Sequence, residues 1–304
     1  MTTTNDHNKG LKVGLALGSG SARGWSHIGV LRALEERGIR PTIVSGASTG
    51  SLVAASYASG QLDALESWAR TLSKMDVWRL LDATFAGGGV MRGNRLMRAV
   101  GEQLSDRDIE SLACEFGAVA ADLHTGREIW IRKGSMLEAV RASSGLPGLF
   151  TPIRHEGRWL IDGGVVNPVP VSLCRAAGAD FVIAVNLNRT ATWFPEPVPE
   201  EPPPSVERTE LFARWSGLLE NFVTSIRSER ETVEPGLIEV VYTSIIIMQD
   251  QITRSRLVGD PPDLIIKPGM SGFHLMDFHR AAEAIDAGYA AVARVAAELP
   301  QVGG

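Results

Sequence analysis

The chain has 304 residues, of which 44% are hydrophobic and 21% charged, and its formal net charge at pH 7 is -5. This composition is typical of a globular protein with material for one large domain or two modest ones, and it excludes a disordered or fibrous chain. The acidic balance and the lack of a Lys/Arg cluster argue against nucleic acid as a partner.

The N-terminal residues 1–10 are polar and lack the apolar centre of a signal peptide, so we expect a disordered tail there. No stretch approaches the roughly 20 apolar residues that a membrane-spanning helix needs. Cys114 and Cys174 are far apart and lack the spacing of metal ligands, which favours buried, reduced thiols. We therefore predict a cytoplasmic protein that contacts the inner membrane face peripherally, if at all.

The first part of the chain alternates strand and helix, the order that builds a parallel sheet covered by helices. An apolar strand over 11–17 leads into a glycine-rich turn at 18–24. A helix follows and ends near Gly38, because glycine commonly terminates helices. A second strand over 41–44 leads through another turn into a helix over 52–58.

The same pattern continues along the chain. Residues 61–112 are predicted to be mostly helical, with an interruption at the three glycines of 87–89. Strands are predicted over 116–121, 128–131, 159–161, 181–185 and 263–268, and helices over 136–142 and 277–298. We predict one α/β domain, made of residues 11–190 and completed by residues 236–298.

A break in composition separates these two parts at residues 191–235. Prolines crowd residues 195–204, which predicts a linker or exposed loop. Residues 206–234 follow, with apolar side chains on one side of a predicted amphipathic helix. This helix either packs on the domain or on a second subunit of a homo-oligomer, or it forms a lid or membrane contact at an apolar active-site mouth. Its acidic flanks count against the membrane contact.

The pentapeptide Gly46-Ala47-Ser48-Thr49-Gly50 lies between the second predicted strand and its helix. A strand that turns sharply into a helix exposes a corner serine at the positive end of the helix dipole, and Gly46 and Gly50 let strand and helix approach closely. A serine that only caps the helix is the alternative. The strand–turn–helix setting favours Ser48 as a nucleophile.

The glycine-rich turn reads Gly18-Ser19-Gly20-Ser21-Ala22-Arg23-Gly24. Small residues at a strand-to-helix turn expose backbone N–H groups that can hold a phosphate or the oxyanion of an acyl-transfer intermediate. Dinucleotide binding is disfavoured, because the third glycine comes one place late and the next strand ends in Ser48 rather than an acidic residue. A simple tight turn is the other alternative, but donors and a nucleophile at consecutive strand ends favour acyl transfer.

A nucleophilic serine needs a base within hydrogen-bond reach. Asp162 follows an apolar strand and precedes Gly163 and Gly164, which could let its carboxylate approach Ser48, although Asp-Gly is also common in hairpin turns. A Ser-His-Asp esterase would instead use a late histidine, His274 or His279. Such an enzyme usually places its elbow after several strands, whereas Ser48 follows only the second.

Together these segments resemble the bacterial patatin-like phospholipases, particularly the RssA-type group related to the catalytic domain of neuropathy target esterase. Three features match in order: the glycine-rich turn with the following Trp25-Ser26-His27-Ile28-Gly29-Val30-Leu31, the elbow at 46–50, and Asp162-Gly163-Gly164. Residues 142–152, 162–171 and 259–263 also resemble family segments. The resemblance runs from about residue 10 to 296 and is weakest over 190–232.

The resemblance implies a three-layer α/β patatin-like fold, with a mostly parallel central sheet and helices on both faces. It implies hydrolysis of carboxylic esters of phospholipids or lysophospholipids by a dyad in which Ser48 is the nucleophile and Asp162 the base. Backbone N–H groups of Gly20, Ser21 and Ala22 would form the oxyanion hole. No histidine, metal or other cofactor would then be required.

Supporting roles follow from the same resemblance. Arg23 would fix the glycine-rich turn or attract anionic headgroups. The glycines expected to shape the three turns are Gly18, Gly24, Gly46, Gly50, Gly163 and Gly164. Ser19 and Ser21 stand where the wider family commonly has glycines, and Ser21 adds a side chain near the oxyanion hole. This departure, with the unmatched 190–232, keeps open a lipid-binding or regulatory module with weak turnover.

Overall fold

A computed structural model describes residues 10–82, 89–188 and 237–300. The chain divides into two compact units, residues 1–188 with 249–304 and residues 189–248. The predicted tail up to residue 9, the proline-rich linker and the amphipathic helix of 206–234 lie outside the described residues.

The described residues form an α/β structure. Its strands are β1 (Val13–Leu17), β2 (Ile43–Ala47), β3 (Gly89–Met91), β4 (Glu115–Asp122), β5 (Glu128–Ile131), β6 (Gly148–Phe150), β7 (Ile153–His155), β8 (Arg158–Asp162), β9 (Phe181–Val185) and β10 (Leu264–Ile266). Its α-helices are α1 (Ser26–Glu35), α2 (Thr49–Ala58), α3 (Leu62–Thr71), α4 (Lys74–Leu80), α5 (Asn94–Gln103), α6 (Met136–Ser143), α7 (Val171–Ala176), α8 (Leu237–Gly259) and α9 (Ala281–Arg294).

The central sheet has the order β10-β9-β1-β2-β4-β8-β7, and β5 pairs with β4. The four pairings from β10 to β4 are parallel, whereas β5 and β8 pair with β4 in antiparallel orientation, as β7 does with β8. The expected α/β fold with a mostly parallel sheet is therefore confirmed. β3 and β6 form a separate parallel pair.

Helices cover both faces of the sheet. Along β1, Val13, Leu15 and Leu17 join the larger apolar core, which also contains residues of α1, α2, α6 and α9. Ala16 joins a second core with Val171 and neighbouring residues at α7. Since successive strand residues point to opposite faces, the two cores are the two sides of one sheet.

The structure confirms the longer predicted elements and adds short ones. β9 coincides with the strand predicted over 181–185. β3, β6 and β7 have three residues each, too few to show a periodicity. Helix α8 was also absent from the predicted elements, and its segment is rich in β-branched residues, which have a low helix propensity. None of the described helices is both long and apolar enough to cross a membrane.

Candidate active site

Ser48 lies at the corner between β2 and α2, with φ 55° and ψ -130°. Its neighbours make this turn possible. A Cβ at Gly46 would lie 2.4 Å from the backbone nitrogen of Ser51, and a Cβ at Gly50 would lie 2.2 Å from the carbonyl oxygen of Leu17. Such contacts are far inside van der Waals distance, so both positions require glycine.

The Ser48 side chain does not cap α2. Ser48 occupies the N-cap position, yet its side chain makes no capping hydrogen bond. Its carbonyl oxygen instead accepts hydrogen bonds from the backbone N–H of Ser51 at 2.9 Å and from the Ser51 hydroxyl at 2.6 Å. Ser48 is half-buried, and its side chain lies at the positive end of the helix dipole.

Strand β4 brings Asp162 to Ser48. The last residue of β2, Ala47, pairs with Val119 of β4, and Asp162 at the end of β8 pairs with Ala120, the next residue of β4. Ala47, the neighbour of Ser48, and Asp162 therefore stand beside consecutive positions of one strand. The Ser48 side chain interacts with the Asp162 carboxyl, and this interaction lowers the pKa of Asp162.

The Asp162 carboxyl is completely buried. Burial is the largest influence on its pKa and raises it to about 6, against the smaller opposing effects of Ser48 and the Gly164 N–H. That N–H donates to Oδ1 at 2.7 Å, while Oδ2 has no hydrogen bond of good geometry to any described residue. Oδ2 is therefore the oxygen left to take up a proton.

The glycines after Asp162 form no hairpin turn. β8 ends at Asp162, and a 3₁₀ turn, Gly163–Val165, follows directly. A Cβ at Gly163 would lie 2.1 Å from the carbonyl oxygen of Val119, and one at Gly164 would lie 2.5 Å from Nε2 of Gln249. Both glycines let this turn lie close to its neighbours.

Two backbone N–H groups of the glycine-rich turn have no partner among the described residues. Within the described part of the chain, no hydrogen bond from the N–H of Gly20 or Ser21 is found, whereas the N–H of Ala22 donates to the carbonyl of Leu275 at 3.3 Å. The Ser21 hydroxyl donates to the same carbonyl at 2.7 Å, and its φ of 51° lies in the left-handed region. Gly20 and Ser21 are thus better placed than Ala22 to bind an oxyanion.

The turn lies against the elbow. A Cβ at Gly24 would lie 2.4 Å from Cγ2 of Thr49, the first residue of α2, and one at Gly18 would lie 2.7 Å from the carbonyl of Val185. Arg23 is 4% exposed, and its Nε donates to the carbonyl of Gly20 at 3.3 Å. Of the two roles expected for Arg23, this contact fits fixing the turn.

The two late histidines have other surroundings. The charged groups that act on His279 are Lys74, Asp277, Arg280 and Glu283, and partial burial lowers its pKa. His274 is exposed, and its backbone N–H donates to the Asp277 carboxylate at 2.9 Å. Among the described groups, neither histidine influences the pKa of Asp162.

His27 supports the glycine-rich turn, a role that the residue pattern alone did not reveal. Its ring is fully buried, and Nε2 lies 2.8 Å from the carbonyl oxygen of Gly18. Because a carbonyl can only accept, Nε2 carries the hydrogen, and Nδ1 is buried without a partner among the described residues. Burial lowers the pKa of His27 to about 4, so the ring is neutral at physiological pH.

We expect His27→Gln to remove an acid-dependent loss of stability. The pKa is about 4 in the folded chain against 6.5 for free histidine, so the unfolded chain binds more protons and stability falls as the pH falls from 6.5 to 4. The free energy of unfolding of the wild type should fall by about 2 kcal/mol through His27 as the pH falls from 7.5 to 5. Denaturant unfolding of both proteins at the two pH values measures this. An identical pH dependence in both would contradict it.

No metal site accompanies these residues in the part of the chain that is described. There, no group of three or more His, Cys, Asp or Glu side chains is arranged to hold a metal ion. The groups that the described site brings together are a buried carboxylate, a serine hydroxyl and two backbone N–H donors.

Comparisons with known proteins agree on a family. Residues 15–175 match the family model described as patatin-like phospholipase. An uncharacterized NTE family protein of Mycobacterium bovis is 33% identical over 322 residues, which cover 92% of this chain and 89% of the relative, and a Mycobacterium tuberculosis protein of the same description matches equally. Lysophospholipase nte1 of Aspergillus fumigatus is 30% identical over 286 residues, which cover 92% of this chain and 18% of that protein.

Proposed function

We propose that this chain, which belongs to the patatin-like phospholipase family and is a lipid ester hydrolase, cleaves phospholipid or lysophospholipid acyl esters. The reaction would pass through an acyl-enzyme on Ser48, with Asp162 as base. One observation carries the proposal. A completely buried carboxyl with a raised pKa adjoins a partly exposed serine at a strand-to-helix corner.

Acylation begins with the Ser48 hydroxyl. Its oxygen forms a bond to the ester carbonyl carbon while its proton passes to the Asp162 carboxylate. A base with a pKa of about 6 takes this proton more readily than a solvent-exposed aspartate with a pKa of 3.8. Burial of the carboxylate therefore strengthens it as a base and still leaves it ionised at pH 7.

The tetrahedral intermediate carries its negative charge on the former carbonyl oxygen. We place that oxygen against the N–H groups of Gly20 and Ser21, which have no other partner in the described part of the chain. Donors fixed in this way stabilise a developing charge without reorganising. The bond to the leaving alcohol then breaks, and the alcohol receives the proton from Asp162.

Deacylation repeats the same proton transfers with water as the nucleophile. Asp162 takes a proton from water, the hydroxyl oxygen attacks the acyl carbon, and the proton returns to Ser48 as the fatty acid leaves. The cycle ends with a free hydroxyl on Ser48 and an ionised Asp162. All proton transfers use these two side chains, the substrate and water.

The substrate class rests on relatives. Aspergillus fumigatus nte1 is described as a lysophospholipase, and the chain spans 18% of that protein's length, so its substrate is carried over as a proposal. From the sequence we also propose a cytoplasmic location, peripheral contact with the inner membrane face and a homo-oligomeric state.

The test is a pH profile of lysophosphatidylcholine hydrolysis. Because the base must be ionised, kcat/KM should fall tenfold per pH unit below about 6 and be level above it. An imidazole would titrate in the same range, so the profile is also measured for His274→Ala and His279→Ala, which should behave as wild type. Loss of turnover in either folded histidine variant would point to a triad. An inactive wild type, also on a short-chain p-nitrophenyl ester, would contradict the hydrolase mechanism.

A further inference from the structure

The backbone amide of Ser48 has its partner outside the elbow. This N–H donates to the hydroxyl oxygen of Ser143 at 3.0 Å. Ser143 is the last residue of α6 and is completely buried. The position of the nucleophile therefore depends on a side chain 95 residues later in the chain.

The Ser143 hydroxyl joins the elbow to β4. It donates to the carbonyl of Val119 at 2.5 Å. An amide N–H can only donate and a carbonyl can only accept, so the direction of both bonds is determined: Ser48 N–H to Ser143 Oγ, and Ser143 O–H to Val119. Neither alanine nor any other apolar residue could make both bonds.

The same end of α6 also holds the base. The backbone N–H of Asp162 donates to the carbonyl of Gly145 at 3.0 Å. The Val119 carbonyl that accepts from Ser143 lies directly beside Gly163, where a Cβ would be only 2.1 Å away. Ser143 and Gly145, two residues apart at the end of α6, therefore accept hydrogen bonds from the backbone N–H groups of the nucleophile Ser48 and the base Asp162.

From these contacts we infer that Ser143 is a positioning residue for the reaction, which sets the separation of Ser48 Oγ from the Asp162 carboxyl through the Ser48 amide. This inference rests on the proposed function. Proton transfer is steeply sensitive to distance, and a displacement of about 1 Å can cost about 10²-fold in rate. The hydrogen bonds of the Ser143 hydroxyl go to backbone groups of Ser48 and Val119, so it would act through the backbone.

The chain offers matched controls for a Ser143→Ala test. Ser56 is also completely buried in a helix, and its hydroxyl donates to the carbonyl of Leu52 at 2.8 Å. Ser144, the neighbour of Ser143, donates to the carbonyl of Val140 at 2.8 Å. Neither bond involves the elbow or Asp162. Ser56→Ala therefore removes one buried hydrogen bond of a helical serine, where Ser143→Ala removes two, and Ser144→Ala disturbs the same helix end.

We expect Ser143→Ala to lower kcat for lysophosphatidylcholine by about 10- to 100-fold with KM nearly unchanged. The rate at which a fluorophosphonate labels Ser48 should fall in parallel. The acid limb of kcat/KM should move to higher pH, because the interaction with Ser48 lowers the pKa of Asp162. Ser56→Ala and Ser144→Ala should keep kcat, although Ser56→Ala should lower the thermal midpoint by removing a buried hydrogen bond. Ser143→Thr, which retains a hydroxyl, should recover much of the rate.

The outcomes separate this inference from the proposed function. If wild type is active but Ser143→Ala keeps its kcat and pH profile, or loses no more kcat than Ser56→Ala, the inference is wrong and the proposed function stands. A wild type that neither turns over lipid esters nor reacts with the fluorophosphonate overturns both. Should Ser143→Ala fail to fold, Ser143→Cys is judged by the same criteria, because a thiol is only a weak donor and acceptor.

Discussion

Asp162→Asn is expected to abolish lipid ester hydrolysis and, at the same pH, to stabilise the protein. Asparagine keeps an oxygen for the Gly164 N–H but cannot take up a proton, so turnover should fall about 10²- to 10⁴-fold. Because the carboxylate is ionised at pH 8 although burial opposes its charge, a neutral amide removes a cost of up to about 3 kcal/mol.

The size of the stability effect depends on pH. The pKa of Asp162 is higher in the folded chain, about 6, than the ordinary 3.8, so the folded chain binds more protons between these values. Wild type therefore gains stability through Asp162 as the pH falls from 6 to 3.8. The amount by which the free energy of unfolding of Asp162→Asn exceeds that of wild type should be largest at pH 8 and shrink towards pH 4. Denaturant unfolding at several pH values measures this difference.

Asp122→Asn is the matched control. Asp122 is also buried and lies on β4, but its carboxylate accepts hydrogen bonds from the backbone N–H groups of His124 and Thr125, and these lower its pKa. Asp122→Asn should therefore destabilise the protein at neutral pH and leave turnover intact. If Asp162→Asn keeps its activity, or is destabilised at pH 8 as Asp122→Asn is, our account of Asp162 is wrong.

Ser48→Ala is expected to lower turnover at least about 10³-fold with the fold intact. Alanine keeps the backbone N–H that Ser143 accepts, and the side chain that it replaces makes no capping bond. The double variant with Asp162→Asn should be no less active than either single variant, since nucleophile and base act as a unit. Hydrolysis of lysophosphatidylcholine and of a p-nitrophenyl ester provides the rates.

Lipid binding by Ser48→Ala distinguishes a hydrolase from a lipid-binding or regulatory module with weak turnover. A lipid-binding or regulatory module would bind lipid vesicles tightly with or without Ser48, and its wild type would turn over negligibly. A hydrolase instead loses its measured turnover with Ser48. Residual activity in Ser48→Ala within about tenfold of wild type would show that another nucleophile performs the reaction.

Elements that depend on local patterns can be read directly from the residue order. The elbow around Ser48 and the turn after Asp162 are recognisable because steep backbone turns require glycine at positions next to the reactive residue. The strand over 181–185 is a continuous apolar run, which a buried parallel strand produces. The pairing of Ser48 with Asp162 came from the resemblance to a family, since residue spacing alone left His274 and His279 as rivals.

Properties that depend on residues far apart in the chain emerge only in the folded protein. The approach of Ser48 to Asp162 follows from the registers of Ala47 and Asp162 on β4. The engagement of the Ala22 amide depends on Leu275, and the contact of Ser48 with Ser143 joins residues 95 apart in sequence. The raised pKa of Asp162 and the neutral state of His27 depend on complete burial. Burial and register arise when the whole chain closes around the sheet, so no local run of residues carries them.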